Sequence, residues 1–133
     1  MSQKLVQVKD VMNDNFHMVD GRLTVLDAMH IAQQHICDAL IVEKRHDHDE
    51  FGLVLLSDIA KQVISKDKAP ERVNIYEIMA KPVIAVDPAM DVKYCARLFE
   101  NFGLSKAPVI KDGQVLGMVG YEDIVLKGMY HER

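Results

Sequence analysis

Apolar positions along this chain follow two spacings, and the order in which those spacings appear occurs twice. Val25, Ala28, Met29 and Ala32 stand at i, i+3, i+4 and i+7, the stripe that an α-helix buries on one face. Val92, Cys95, Ala96 and Phe99 repeat it. A short apolar strand is predicted before each helix, at His17-Met18-Val19 and at Val83 to Val86. A strand pair is predicted after each, Ala39 to Glu43 with Phe51 to Leu56, and Pro108 to Lys111 with Val115 to Val119. Asp112-Gly113 marks the second pair as a tight hairpin, since glycine accepts the positive φ of a primed turn. Closing helices carry Ile59, Ala60, Val63 and Ile64 in one half and Ile124, Val125, Gly128 and Met129 in the other. Thr24 and Asp91 are the expected helix N-caps and Gly103 a C-cap.

The two halves share residues as well as rhythm. Val11-Met12 recurs as Ile78-Met79 and Val19-Asp20 as Val86-Asp87, each at a separation of 67. Gly52-Leu53-Val54 with Asp58-Ile59 recurs as Gly117-Met118-Val119 with Asp123-Ile124 at a separation of 65. The drift falls at one place, where Lys44 to Phe51 stands against the short turn Asp112-Gly113-Gln114, so the first half carries an insertion in its hairpin. The charged, proline-containing segment 66–72 reads as a linker between a first domain, 1–65, and a second, 73–133. Halves this small bury little core alone, so they are expected to pack as one pseudo-symmetric pair of α/β class.

Composition narrows the function. The 133 residues are 49% hydrophobic and 27% charged, the balance of a folded globular chain. A net charge of −4 argues against a protein built to neutralise nucleic acid phosphates. The longest stretch free of charged residues, Ala28 to Cys37, is about half of what a membrane span needs. With no secretory signal pattern and two cysteines far apart, the expectation is a cytoplasmic protein with free, core-packed thiols.

The repeated order of strand, helix, strand, strand, helix, with Val19-Asp20 and Val86-Asp87-Pro88 before the helices, Ala107-Pro108-Val109-Ile110, and the closing segments 52–59 and 117–124, resembles the cystathionine-β-synthase (CBS) domain, here as a tandem pair. The resemblance covers nearly the whole chain. It implies a regulatory module, not an enzyme, whose halves leave two clefts between their sheets. Such modules bind adenosine-containing ligands such as AMP, ADP, ATP or S-adenosylmethionine, often dimerise, and act on another protein. No attached catalytic domain is found in this sequence, so the regulated partner is expected to be a separate chain. The resemblance also assigns candidate binding residues. Asp58 and Asp123 match the aspartate that receives two ribose hydroxyls, Ser105, Lys106 and Pro108 match the segment that approaches phosphates, and Pro82, Val83 and Ile84 stand where adenine packs. Asp123 with Lys106 is the favoured cleft, because the first half offers Cys37-Asp38-Ala39-Leu40 in place of the basic segment, and a carboxylate repels phosphate.

Each of these residues has a plainer role open to it. A first-turn aspartate caps a helix as readily as it holds a ribose. Lys106 can be a solvated strand end. Leu55 and Gly120 stand where ligand-binding relatives carry Thr or Ser, so one hydroxyl contact is missing in both halves. That departure supports an alternative, a structural or protein-interaction pair with degenerate clefts. His46 and His48 in the insertion bring imidazoles next to carboxylates, a metal-ligand set, but a polar turn explains them as well and no metal is assigned. The two amphipathic helices, 25–36 and 92–102, offer more apolar surface than one thin unit covers, and a homodimer is expected from them.

Overall fold

The structure, a computed structural model, describes residues 5–128. A single helical turn α1 (Val8–Val11) is followed by β1 (Phe16–Val19), helix α2 (Val25–His35), and the strands β2 (Ala39–Val42) and β3 (Gly52–Leu55). The first closing helix starts as α3 (Leu56–Ile59) and continues as a π-helical turn, Ala60–Ile64. Two 3₁₀ turns, Pro70–Arg72 and Ile75–Glu77, precede helix α4 (Val92–Phe102), strands β4 (Lys106–Lys111) and β5 (Gln114–Gly120), and a closing π-helical segment, Asp123–Lys127.

The predicted caps form. Thr24 Oγ1 accepts from the Asp27 amide at 3.1 Å, and Asp91 accepts from the Lys93 amide at 2.8 Å. Gly103 ends α4 with φ of 65°, and Asp112 and Gly113 turn the second hairpin with φ of 51° and 76°. In one sheet β1 pairs parallel with β2, and β2 antiparallel with β3. The central strand Ala39-Leu40-Ile41-Val42 is buried along its length, which is why it shows no alternation of apolar and polar residues. The other sheet pairs β4 with β5 antiparallel.

The strand expected at Val83 to Val86 is reduced to one residue. Val86 donates to the Pro108 carbonyl at 3.0 Å and accepts from the Ile110 amide at 3.1 Å, a single parallel bridge to β4. Only Val86 of that stretch is buried, so its neighbours gain little from being extended against a sheet. Both amphipathic stripes face cores. Val25, Ala28 and Ala32 pack with Leu40, Val54, Ile59 and Val63, while Val92, Cys95 and Phe99 pack with Val86, Val109 and Val119. Ile59 and Val63 point inward but Ile64 and Val125 are exposed, because the wider π turn rotates the expected stripe. Met129 lies outside the described residues. Cys37 and Cys95 are free and buried, and burial raises both thiols, that of Cys95 to about 11.

The chain folds into two compact units, and these are not the repeat halves of the sequence. One comprises Asn15–Val83 and the other the residues up to Asp14 together with those from Ile84 onward. The expected division into 1–65, a linker at 66–72 and 73–133 is a division by repeat, and the compact units are drawn differently. The reason is a swap of opening segments. The segment around Val6 to Asn13 bonds to the body of the second repeat, with Val8 N–H to Met90 O at 2.8 Å, Val92 N–H to Val6 O at 3.0 Å, and a reciprocal pair between Asn13 and Met118 at 2.8 Å each. The equivalent segment 73–80 bonds to the body of the first repeat, with Val25 N–H to Val73 O at 2.7 Å and a reciprocal Leu53 and Ala80 pair at 3.0 and 2.9 Å. The glycines of the repeat motif stand where this strap crosses. A Cβ on Gly117 would lie 2.7 Å from the Asn13 carbonyl oxygen, and one on Gly52 would lie 2.7 Å from the Met79 sulfur.

The hairpin insertion is tied down by a residue other than its histidines. The Asp49 side chain, 7% exposed, accepts from the Arg45 amide at 2.9 Å and from its Nε at 3.1 Å, and pairs with Lys81 Nζ at 2.8 Å. These partners hold its carboxyl far below the ordinary aspartate range. His46 and His48 are exposed, joined by one 3.3 Å bond from the His48 amide to His46 Nδ1.

Three outcomes follow. Gly117→Ala should cost about 1–3 kcal/mol in urea unfolding because a backbone oxygen cannot step aside, and Gly52→Ala should cost less because the Met79 thioether can. Replacing His46 and His48 together with Ala should change stability by less than about 0.5 kcal/mol. Asp49, with its lowered folded-state value, should add stability above the ordinary aspartate value of 3.8 that disappears as pH falls below it. Unfolding curves recorded across that acid range should be flatter with pH for Asp49→Asn than for wild type.

Candidate functional site

The two candidate ribose acceptors occupy matching places and have different surroundings. Each stands just past the last strand of its hairpin and accepts a hydrogen bond from the backbone three residues earlier. Asp58 Oδ2 takes the Leu55 amide at 2.8 Å, and Asp123 Oδ2 takes the Gly120 amide at 2.9 Å. Both thus fill the capping role, which ties the strand to the closing helix.

Asp123 carries further partners. Asn13 Nδ2 donates to the same oxygen at 2.7 Å, and Lys127 Nζ lies 2.9 Å from Oδ1 while also donating to the Val11 carbonyl at 3.0 Å. The Asp123 side chain is 6% exposed, so this carboxylate is held in a closed knot that fastens the opening strap to the closing helix. The repeat offset explains why Asp58 has no such knot. Ala80 stands where Asn13 would be and Gln62 where Lys127 would be. Asp58 is half-buried, and among the described residues only the Leu55 amide bonds to its carboxylate. Asn13 and Lys127 were missed in the sequence. The i,i+4 spacing of Asp123 and Lys127 was a signal for one, but nothing short of the strap's placement could have found the other.

The basic segment is also engaged. Lys106 Nζ pairs with Glu122 Oε1 at 2.9 Å, and the lysine holds the Glu122 carboxyl below its usual range. The same oxygen would lie 2.9 Å from a Cβ on Gly120, so a carboxylate fills the space that a side chain at position 120 would enter. Ser105 is exposed and Pro108 is buried in β4, its carbonyl spent on Val86. Ile84 belongs to the same unit as Asp123, Ser105, Lys106 and Pro108, whereas Pro82 and Val83 end the other unit, which holds Asp58. His17 and His35, unrelated by spacing, stack with ring centroids 3.9 Å apart. Among the described residues, no group of three or more His, Cys, Asp or Glu is placed to share a metal ion, and no helix is long and apolar enough to cross a membrane.

Known proteins agree with this architecture. The chain is similar to the hexameric CBS-CP12 protein from bloom-forming cyanobacteria, with 35% identity and a TM-score of 0.91 over 98% of this chain and 76% of that one. It is similar to the CBS domain pair of protein MJ0100 in complex with 5'-methylthioadenosine and S-adenosyl-L-methionine, with 26% identity and a TM-score of 0.77 over 96% and 99% of the two chains. A Methanopyrus kandleri protein, MK0525, is 26% identical over 103 residues, 77% of this chain. Those residues make up 52% of that relative, so the chain spans about half the length of the curated protein it matches. The sequence model of the CBS domain matches residues 8–65 and again 75–129. The chain, with two such matches in tandem and the mixed helix and sheet architecture of solved CBS pairs, belongs to the CBS domain family.

Proposed function

We propose that this CBS pair is a cytoplasmic regulatory module that senses an adenosine-containing ligand, AMP, ADP or ATP, and transmits its occupancy to a partner protein. The observation that carries the reading is Asp58, a half-buried carboxylate at the start of a closing helix with one oxygen unspent among the described residues. The similar pair in complex with 5'-methylthioadenosine and S-adenosyl-L-methionine supports the ligand class. The sequence places more weight on Asp123 with Ser105, Lys106 and Pro108, and on Pro82, Val83 and Ile84 for the adenine. A ligand there must displace Lys127 or Asn13 from Asp123 and Glu122 from Lys106. We therefore assign the first ribose contact to Asp58 and keep the Asp123 set as the second. Signalling is by population shift, since a ligand favours whichever arrangement it contacts better.

A second reading, a structural or interaction pair without a ligand, draws on Leu55, on Gly120 and on the closed knot at Asp123. One thermal-shift experiment separates the two. A ligand at 100 times its dissociation constant stabilises a fold by about 2.7 kcal/mol. AMP, ADP, ATP or S-adenosylmethionine should raise the melting temperature of wild type. Asp58→Ala should abolish that rise, whereas Asp123→Ala should lower the melting temperature of the free protein. Glu122→Gln should strengthen ATP binding if the second set is used, because it removes a carboxylate that competes with phosphate for Lys106. No shift with any of the four at millimolar concentration would favour the interaction module.

We also propose a homodimer. Tyr94 and Phe102 on α4 are 58% and 60% exposed, and Ile36 at the end of α2 is 86% exposed. Exposed apolar groups of this size on one element mark an interface. Light scattering at micromolar concentration should report twice the chain mass, and Tyr94→Glu with Phe102→Glu should return it to the monomer value.

A further inference from the structure

The hairpin insertion that sets the first repeat apart builds one wall of a concave pocket of about 910 Å³ within the Asn15–Val83 unit. The pocket lies at the end of the sheet where Val42 pairs with Gly52, the opposite end of β3 from Leu55 and Asp58. Strands of four residues put those ends roughly 10 Å apart, so this pocket is separate from the Asp58 position. Its volume is that of a site for a small organic molecule.

The chemistry of the lining is specific. Tyr76 and Met79 supply an aromatic and an apolar surface. Arg22, Lys44, Arg45 and Lys81 supply four cations, against the carboxylates of Asp20 and Glu43 in the lining. The guanidinium groups are held from one side only. Arg22 gives Nε and Nη2 to Asp20, with the shortest contact 2.8 Å, and Arg45 gives Nε to Asp49 at 3.1 Å. Nη1 of Arg22 and both amino groups of Arg45 have no partner among the described residues. Lys81 is pinned by Asp49 at 2.8 Å. Lys44 forms no ion pair among the described residues and rests its ammonium 4.9 Å over the Phe51 ring. Preset donors of this kind match the oxygens of a phosphate. The hydroxyl of Tyr76 accepts from Asn74 Nδ2 at 3.3 Å, which leaves its proton available to a ligand.

Among the described residues, the matching end of the second repeat is built differently. Its hairpin closes in Asp112-Gly113, and Lys111 is spent on Asp87 at 3.2 Å. The concavity beside Asp87, about 690 Å³, is lined by two carboxylates and no cation.

We propose that the pocket beside the insertion binds a nucleotide-sized organic phosphate, with its planar ring on Tyr76 and Met79 and its phosphate on Lys44 and the free amino groups of Arg22 and Arg45. The inference goes beyond the Asp58 reading and does not depend on it.

The test is a titration of the ¹⁵N-labelled full chain with AMP, adenosine and ribose 5-phosphate, followed by amide shifts. AMP should move the amides of Gly21, Arg22, Lys44 and Tyr76 in a saturable way. Lys44→Ala with Arg45→Ala should weaken that binding by about tenfold or more, and Tyr76→Ala should weaken AMP binding while leaving ribose 5-phosphate unchanged. All three side chains reach solvent, and unchanged spectra elsewhere will show that the variants fold. If AMP at about 10 mM moves none of these amides, or if the double variant binds equally well, the proposal is overturned. Shifts confined to 55–58 or 120–123 would overturn it and leave the nucleotide-sensing reading standing. Shifts confined to the insertion pocket would support it and remove Asp58 from its role.

Discussion

The crossing strap is the contact on which the rest of this protein depends. In each unit a short opening segment from one repeat closes the body of the other through reciprocal backbone hydrogen bonds, Asn13 with Met118 and Ala80 with Leu53. Backbone groups buried without partners cost more than most side-chain contacts return, so these pairs place the strap with little freedom. The strap then explains features that look unrelated. Gly117 and Gly52 are glycines because the strap crosses them, and Val8, Val11 and Ile75 are fully buried because they cap the two cores.

The two repeats share one scaffold and differ around their aspartates. In the second repeat Asp123 is the centre of a structural knot with Asn13 and Lys127, and a glutamate sits on the strand-end lysine. In the first repeat the matching positions are Ala80 and Gln62, and the aspartate keeps an open side. The hairpins differ in the opposite sense, since the first has a longer loop pinned by Asp49 and the second a minimal turn. The open carboxylate thus lies in the Asn15–Val83 unit and the closed knot in the other.

Much of the architecture was legible in the sequence because burial leaves periodic marks. The stripes from Val25 and from Val92 and the turn at Asp112-Gly113 are local consequences of packing and φ, and all of them form. The swap was not legible, since Val6 to Met12 and Val73 to Met79 look alike and periodicity cannot say which core an apolar segment joins. The stretch Val83 to Val86 misled for a related reason, because β-branched residues gain from a strand only where they are buried against the sheet, and only Val86 of the four is. At the candidate site the aspartates were visible from their motif and their occupancy was not. Whether a carboxylate is open depends on residues far away in sequence, and Asn13 stands 110 positions from Asp123.

The swap also orders the events of synthesis. The Asn15–Val83 unit is contiguous, so every backbone partner it needs exists once Val83 has left the ribosome. The other unit is split, and its first piece, ending at Asp14, is made before any of the chain it will pair with. Val6, Val8 and Val11, bound for a core, must wait in water until α4, β4 and β5 have been made. Through that interval the nascent chain carries an unmatched apolar strap, and a truncated product lacking β5 would keep it unmatched for good.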